Sequence, residues 1–508
     1  ELLVSLRAGD IASQRGRLEQ AGQYYARAEA IAKNSEEKPL SLINVLKARA
    51  ESYARAGQPV AARKDLERAI ESIEDYRSHI TDPNRRNDFF DAIQDVFDRM
   101  IQLQARQFRQ GAAAFDTAEQ ARARTLLEQL SVTPGHATTD SAAQTPDAVP
   151  RPAKALTLDR VRAALPADLT LISYSVSSEG TLIFVTSRGG FDWAESPATT
   201  ETLDRLVQDY LAALRGRVPV EQLEEQSRRL YQLLVAPVES KLATRRLCIA
   251  PDKALHRLPF AALQDGKGDY LIRSHVLTGV PSASTLVYCL DRARAKGAVA
   301  EESLLAVGNP LINRDDFPDL KPLPEAEREV TQSAGLYARK VTLIGPDATK
   351  ARLLSELAKC DVAHFSTHCL VEETTPWLAA LVLTPAGADK DEGLLRLSEF
   401  SKIGLLRARL VILSACQSGL GQYYRGEGIV SLVRPFLAQG VPTVVASLWP
   451  VDSQATAELM IDFHRARRQN NHPLSADALH SAQLQLMQSK SFNHPYYWAP
   501  FVVIGSGN

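Results

Sequence analysis

Membrane-spanning length is the first thing this 508-residue chain lacks: no apolar run reaches the roughly 18–20 residues that a crossing helix needs. Cysteine is the second. Only five occur, at 248, 289, 360, 369 and 416, an odd number without metal-ligand spacing. That argues against a disulfide framework or a zinc site. It favours a reducing, cytoplasmic compartment and no metal or other cofactor. The third absence is an excess of charge of one sign. Lys and Arg total 59 and Asp and Glu 60, for a formal net charge of -1. Nothing in that balance draws the chain to nucleic acid or to an anionic membrane, so neither is expected as a direct partner. The rest, 45% hydrophobic and 23% charged, reads as an ordinary globular protein of about two to four domains. The sequence opens on Glu1 with no methionine, which leaves room for residues, a removed leader among them, ahead of it.

The first 130 residues read as helices, with small and apolar residues at three- and four-residue spacing and almost no β-branched runs. Three segments echo one another: GRLEQAGQYYARA (16–28), GQPVAARKDLERA (57–69) and GAAAFDTAEQARA (111–123). Each opens on Gly and ends on Ala, so small residues on facing helices would allow close packing. That pattern resembles the tetratricopeptide repeat, a helix pair of about 34 residues. The longer spacings here, 41 and then 54, predict long helices or a degenerate repeat around ITDPNRRND (80–88). A generic helical bundle is the plainer alternative. Residues 131–154, SVTPGHATTDSAAQTPDAVPRPAK, read as a flexible linker.

From 155 onward, short apolar strands alternate with helices. Strand candidates are 169–176, 181–187, 246–250, 303–309, 362–367, 379–384, 409–415, 442–448 and 501–505. Helices are expected over 201–216, 348–359 and 453–469. The alternation predicts an α/β domain whose mostly parallel sheet is covered by helices on both faces. The domain scheme is therefore 1–130, a linker over 131–154, and 155–508.

Ligands meet such sheets at the carboxyl ends of strands. Two strands end in chemistry. LVILSACQSGLG (410–421) carries Cys416, and HFSTHC (364–369) carries His368. A thiolate is a strong nucleophile when an imidazole is near to accept its proton. His368 precedes Cys416 by 48 residues, close to the spacing of about 50 between histidine and cysteine in caspases. His364, inside its strand, reads as a packed histidine with satisfied ring nitrogens. Competing sites are weaker. A phosphatase loop wants Arg six residues after the cysteine, where Gln422 stands, and Arg425 lies nine on. The glycines after Cys416 lack the Lys-Ser/Thr end of a P-loop. Ser414 and Ser418 fit a hydrolase elbow loosely, with His480 or His494 downstream but no acid in order. His256 is an unsupported catalytic candidate. Asp252 reads as a turn residue, Glu427 as a loop or helix-start residue, and Pro435 as a kink or restart in its helix.

The stretches DVAHFSTHC, LSACQSGLG, RGEGIVSLVRPFLAQGVPTVVASLWPVDSQAT and HPYYWAPFVVIG, in this order, resemble the CHAT domain, a caspase-like domain often attached to tetratricopeptide repeats. LCIAPDKALHRLPFAAL (247–263) and EQARARTLLEQL (119–130) are similar to that family as well. The resemblance implies a caspase-like domain over 155–508. Its first part, 155–300, would be pseudo-caspase-like and its second, 301–508, catalytic. It implies a cysteine endopeptidase of the caspase and separase type. His368 would be the base and Cys416 the nucleophile, with the backbone N–H groups of Cys369 and Cys416 holding the oxyanion. Glycine is usual at position 369, so a left-handed backbone there would strain a cysteine. SLWPVDS (447–453) is similar to the separase segment that supplies an acid to the S1 pocket. Asp452 is the candidate acid, selecting a basic P1 residue, and Trp449 a candidate pocket wall. Asp452 would equally cap the following helix. The expected partners are a protein or peptide substrate and a regulatory protein bound by the repeats, in a signalling or defence role. The alternative is a weakly active or inactive caspase-like scaffold.

Overall fold

A computed structural model describes residues 1–34, 38–78, 80, 83–122, 126–127, 129–130, 155–370, 379–387, 390–400, 404–405, 407–415, 422–424, 428–430, 432–469 and 474–508. The expected linker, 131–154, lies outside the described residues. The chain divides into two compact units, Glu1–Thr125 with Tyr424–Glu427, and the remainder.

In the first unit, helices Leu2–Gln14, Leu18–Lys33, Lys38–Arg55, Pro59–Ser78, Pro83–Gln102 and Gly111–Gln120 pack as successive pairs. These are the helix pairs expected of tetratricopeptide repeats. The echoing segments are the turn and second helix of each pair. Gly16 (φ 74°) and Gly57 (φ 70°) make left-handed turns that a side chain would strain. Ala28 and Ala69 are fully buried where the second helix meets its neighbours. The long spacing is taken up by helices of 18, 20 and 20 residues. At one contact the small residue faces a large one. A Cβ on Gly9 would lie 2.8 Å from the Tyr25 ring, so only glycine lets that ring lie flat.

Charge ties the pairs together. Arg49 donates to both oxygens of Asp65 (2.6 and 2.8 Å) and to Glu29 (2.8 Å), and Arg68 donates to Glu29 (2.6 Å). Burial alone would raise the Glu29 carboxyl; Arg68, Lys33 and Arg49 outweigh it and hold it at about 2, below its ordinary 4.5. Replacing Arg49 with methionine is expected to cost about 3 kcal/mol at neutral pH, seen as a lower denaturation midpoint of the helical unit. The depressed Glu29 value makes its contribution complete above 4.5 and lost as pH falls through about 2, so the deficit should shrink over that window. A deficit that ignored pH would show that these ion pairs do not carry the stability.

The second unit is built on strands β1 (Leu169–Ser177), β2 (Gly180–Ser187), β3 (Gly190–Ser196), β4 (Arg246–Ala250), β5 (Val276–Gly279), β6 (Ser303–Pro310), β7 (Arg339–Gly345) and β8 (Val362–Ser366). They are followed by β9 (Cys369–Leu370), β10 (Ala380–Val382), β11 (Leu394–Arg396), β12 (Leu410–Leu413), β13 (Gln422–Tyr424), β14 (Gly428–Val430), β15 (Thr443–Ser447) and β16 (Phe501–Gly505). Eleven of these form one sheet in the order β3-β2-β1-β4-β5-β16-β15-β12-β8-β6-β7. Neighbours are parallel except at β3–β2, β2–β1 and β15–β16. The reversal at β15–β16 sets β1, β4, β5 and β16 running opposite to β15, β12, β8, β6 and β7, so the carboxyl ends of β8 and β12 share the rim opposite to the carboxyl ends of β1 and β4.

Both faces are covered, and β8 shows how. His364 points to helices Pro324–Gly335 and Ser453–Arg468, while Phe365 points to Phe436 of helix Val433–Ala438, which packs on Phe400. Period-two alternation sends consecutive side chains to opposite layers. This is the covered, mostly parallel α/β sheet that the strand–helix alternation predicts, and the caspase-like architecture that the family resemblance implies. The expected strands at 246–250 and 501–505 match β4 and β16 end for end. Three strands of the sheet were not expected: β3, β5 and β7. β3 and β7 are edge strands, with polar and partly exposed residues (GFDWAES, RKVTLIG) in place of a continuous apolar run. β5, VLTG, is only 4 residues long.

Candidate active site

β8 and β12 are parallel neighbours in a register that sets each β8 residue level with the one 48 positions later: Val362 with Leu410, His364 with Ile412. The separation of His368 and Cys416 is also 48. The pairing reaches one residue past β12, because Ser414 N–H donates to the Phe365 carbonyl (2.8 Å). Ser447 at the end of β15 donates its hydroxyl to the Ala415 carbonyl (2.7 Å), anchoring the chain one residue before Cys416. Cys416 itself lies outside the described residues, as do Ser418, Arg425 and Glu427.

His368 is partly exposed. Its Nε2 sits 2.7 Å from the Lys321 carbonyl. A carbonyl can only accept, so Nε2 carries a proton, and the neutral ring in this pose has its lone pair on Nδ1, the form a general base needs. The His368 carbonyl accepts from Val382 N–H (2.9 Å), which makes His368–Val382 a hydrogen-bonded pair of the β9–β10 ladder. Cys369, opposite Leu381, is then a non-hydrogen-bonded position whose N–H turns away from β10. Positive φ at described non-glycine residues is confined to Arg109, Arg217, Lys253 and Asn309. Cys369 is extended strand, so the expected strain at a site where glycine is usual does not arise.

Burial separates the other thiols from chemistry. Cys248, Cys289 and Cys360 are buried, and desolvation pushes each up to about 12. Asp452 caps helix Ser453–Arg468: its Oδ1 accepts from Gln454 N–H (3.1 Å) and Ala455 N–H (3.0 Å). Trp449 is fully buried in the main core and donates Nε1–H to the Tyr496 carbonyl (3.2 Å). Its ring therefore lies beneath the surface and supports Tyr496; it presents no wall to a ligand. Above it, the Arg217 guanidinium lies 5.0 Å from the centre of the Tyr496 ring.

The remaining candidates are structural. His480 Nε2 donates to the Ile272 carbonyl (2.8 Å) and His494 Nε2 to the Val218 carbonyl (2.9 Å). Asp252 and Lys253 grip the two sides of one residue, Val176: its N–H donates to Asp252 Oδ2 (2.8 Å), and its carbonyl accepts from Lys253 Nζ. They extend the β1–β4 edge where strand pairing runs out, and His256 lies in the 3₁₀ turn that follows. Pro435 falls in the first turn of helix Val433–Ala438, where its missing N–H costs nothing. Among the described residues, no group of three His, Cys, Asp or Glu side chains could hold a metal ion.

Two groups that contact β8 or the His368 ring beyond it escaped the sequence reading. Lys321 acts through its backbone carbonyl, which no residue type announces. Glu329, within helix Pro324–Gly335, looks like any helical glutamate until its burial (2% exposed) is seen.

The CHAT domain family matches residues 224–506. Tetratricopeptide repeat protein 28 from Mus musculus and from Homo sapiens are each 29% identical over 55% of this chain. The match spans only 13% of the length of either relative. Among solved structures, the Saccharomyces cerevisiae separase–securin complex shares the fold, with TM-score 0.56 at 10% identity. The likeness covers 96% of this chain and 42% of that one.

Proposed function

Because this chain belongs to the CHAT domain family, we propose that it is a cysteine endopeptidase of the caspase and separase type, working through His368 and Cys416. The shared interval of 48 residues carries the reading. The β8–β12 register offsets paired residues by the same 48 positions that separate His368 from Cys416, which supports reading the two as partners at the ends of adjacent strands.

His368 Nδ1 takes the proton of the Cys416 thiol, and the thiolate attacks the substrate carbonyl carbon. The resulting oxyanion is held by the N–H groups of Cys416 and Cys369. The imidazolium returns the proton to the leaving amine, so the C–N bond breaks and an acyl-enzyme remains. Water, deprotonated by the same Nδ1, then releases the acid and restores the thiol. Asp452 would seat a basic P1 side chain at its Oδ2, because both cap bonds fall on Oδ1. Trp449 would act from beneath, by fixing Tyr496. The helical pairs would bind a regulatory protein, a reading supported by the repeat-protein relatives and by the partnered state of the separase structure.

A panel of fluorogenic peptides with Arg, Lys, Asp or Leu at P1 tests this. Cleavage of the Arg and Lys peptides is expected, with a loss of at least about 10³-fold in Cys416→Ala. Turnover that survives in Cys416→Ala would overturn the assignment. No cleavage of any peptide would favour the scaffold.

A further inference from the structure

A chain of buried polar side chains lies behind β8. Arg467 donates to the Tyr337 hydroxyl (3.5 Å), which sits 2.9 Å from His464 Nδ1. His464 Nε2 lies 3.0 Å from His364 Nδ1, and His364 Nε2 lies 2.7 Å from Glu329 Oε1. Ser366 donates its hydroxyl to Glu329 Oε2 (3.0 Å). Arginine cannot accept a hydrogen bond. Tyr337 keeps its own hydroxyl proton to donate to His464 Nδ1; in that arrangement His464 Nε2–H donates to His364 Nδ1, and His364 Nε2–H to Glu329. The carboxylate at the far end accepts, which suits that direction. Every link is satisfied with His464 neutral. Burial, aided by His364 and Arg467, pushes His464 well below its ordinary value and keeps it so.

The carboxylate thus grips His364 and Ser366, the two same-face side chains of β8 that lead to His368. The helix that carries it is tied to the other strand beside β8. Asn309 at the end of β6 accepts from Leu323 N–H (2.8 Å) and donates to Glu327 (2.9 Å). Gly308 lets that helix sit so close that a Cβ would meet Val330 at 2.7 Å. The loop that enters the helix supplies the Lys321 carbonyl to the His368 ring. Strand and ring are held by one splint.

We propose that Glu329 is a positioning residue for the dyad, holding the end of β8 so that His368 Nδ1 faces the Cys416 thiol; this rests on the dyad reading above. The test reads Cys416 directly in the full chain. Iodoacetamide alkylation of Cys416 is followed against pH by peptide mass spectrometry, which separates it from Cys369 and the buried thiols. In the wild type the midpoint should lie below the ordinary thiol value of about 8.5, and His368→Ala should return it there. Glu329→Ala should move it about one unit the same way. Ser366→Ala, which removes one of the two grips at little change in volume, should move it by less. Glu329→Gln keeps both hydrogen bonds, its carbonyl toward His364 and its amide toward Ser366. It should stay close to wild type.

If His368→Ala leaves the profile unchanged, the dyad reading falls. If His368→Ala shifts it while Glu329→Ala and Ser366→Ala do not, the dyad stands and the positioning role is overturned. A shift in Glu329→Gln as large as in Glu329→Ala would also overturn it, because geometry alone would then not suffice. Should Glu329→Ala fail to fold, Ser366→Ala and Glu329→Gln decide the matter.

Discussion

Alanine in place of His368 is expected to lower kcat/KM for a cleaved peptide by about 10³-fold, with KM changed no more than about twofold. The loss follows from what the ring is set up to do. The Lys321 carbonyl accepts the hydrogen bond from Nε2–H, which leaves Nδ1 as the basic nitrogen. Without it the thiol has no acceptor, and the departing amine has no donor. The oxyanion N–H groups and the pocket remain, so binding should survive while turnover does not. Steady-state kinetics on the preferred peptide would measure the split. A rate within about tenfold of wild type would remove His368 from the reaction, since general acid–base groups contribute about 10²–10⁴. Glutamine at this position would mimic one hydrogen bond to Lys321 without supplying a base, so it should be as slow as alanine.

Asp452→Asn is expected to lower kcat/KM for a P1 Arg peptide by about 10²-fold and to leave a P1 Leu peptide almost unchanged. The substitution is chosen for the cap. Asp452 Oδ1 holds the first turn of helix Ser453–Arg468 through Gln454 and Ala455. Asparagine caps as well as aspartate, so the helix keeps both bonds, and only the charge is lost. Losing that charge at a helix N-terminus costs about 0.3–1 kcal/mol, too little to unfold the domain. Asp452→Ala removes cap and charge together. If Asn and Ala variants differ in thermal stability but share the wild-type P1 preference, Asp452 is a cap and nothing more. Parallel kinetics on the Arg and Leu peptides, with a melting curve for each variant, separates the two roles.

The fit of His368 illustrates how far residue types can be read. Its place at a strand end was legible because VAHFST and RLVILSA are short apolar runs that stop abruptly in polar residues, a local pattern. His364 was legible as packing for the same reason, since it falls inside such a run, and both its ring nitrogens are engaged in the buried chain. Trp449 shows the limit. A lone tryptophan beside a strand end looks the same whether it lines a pocket or fills a core, and only its complete burial separates the two. Cys369 shows the limit from the other side. The identity of the residue suggested strain, while the backbone it adopts is ordinary strand.

From the sequence alone came the two kinds of architecture, the order of strand and helix through most of the α/β unit, the family, and the pair of strand ends 48 residues apart. All of these depend on neighbours along the chain: apolar runs, turn glycines and motif order. The reversal of the sheet at β15–β16, the edge strands β3 and β7, the Lys321 carbonyl and the Glu329 grip were decided only by tertiary structure. Those contacts join residues 35, 47 and 100 positions apart, or use backbone atoms that every residue shares. Which distant groups meet is set by how helices and strands pack into one core, and a local pattern does not encode that meeting.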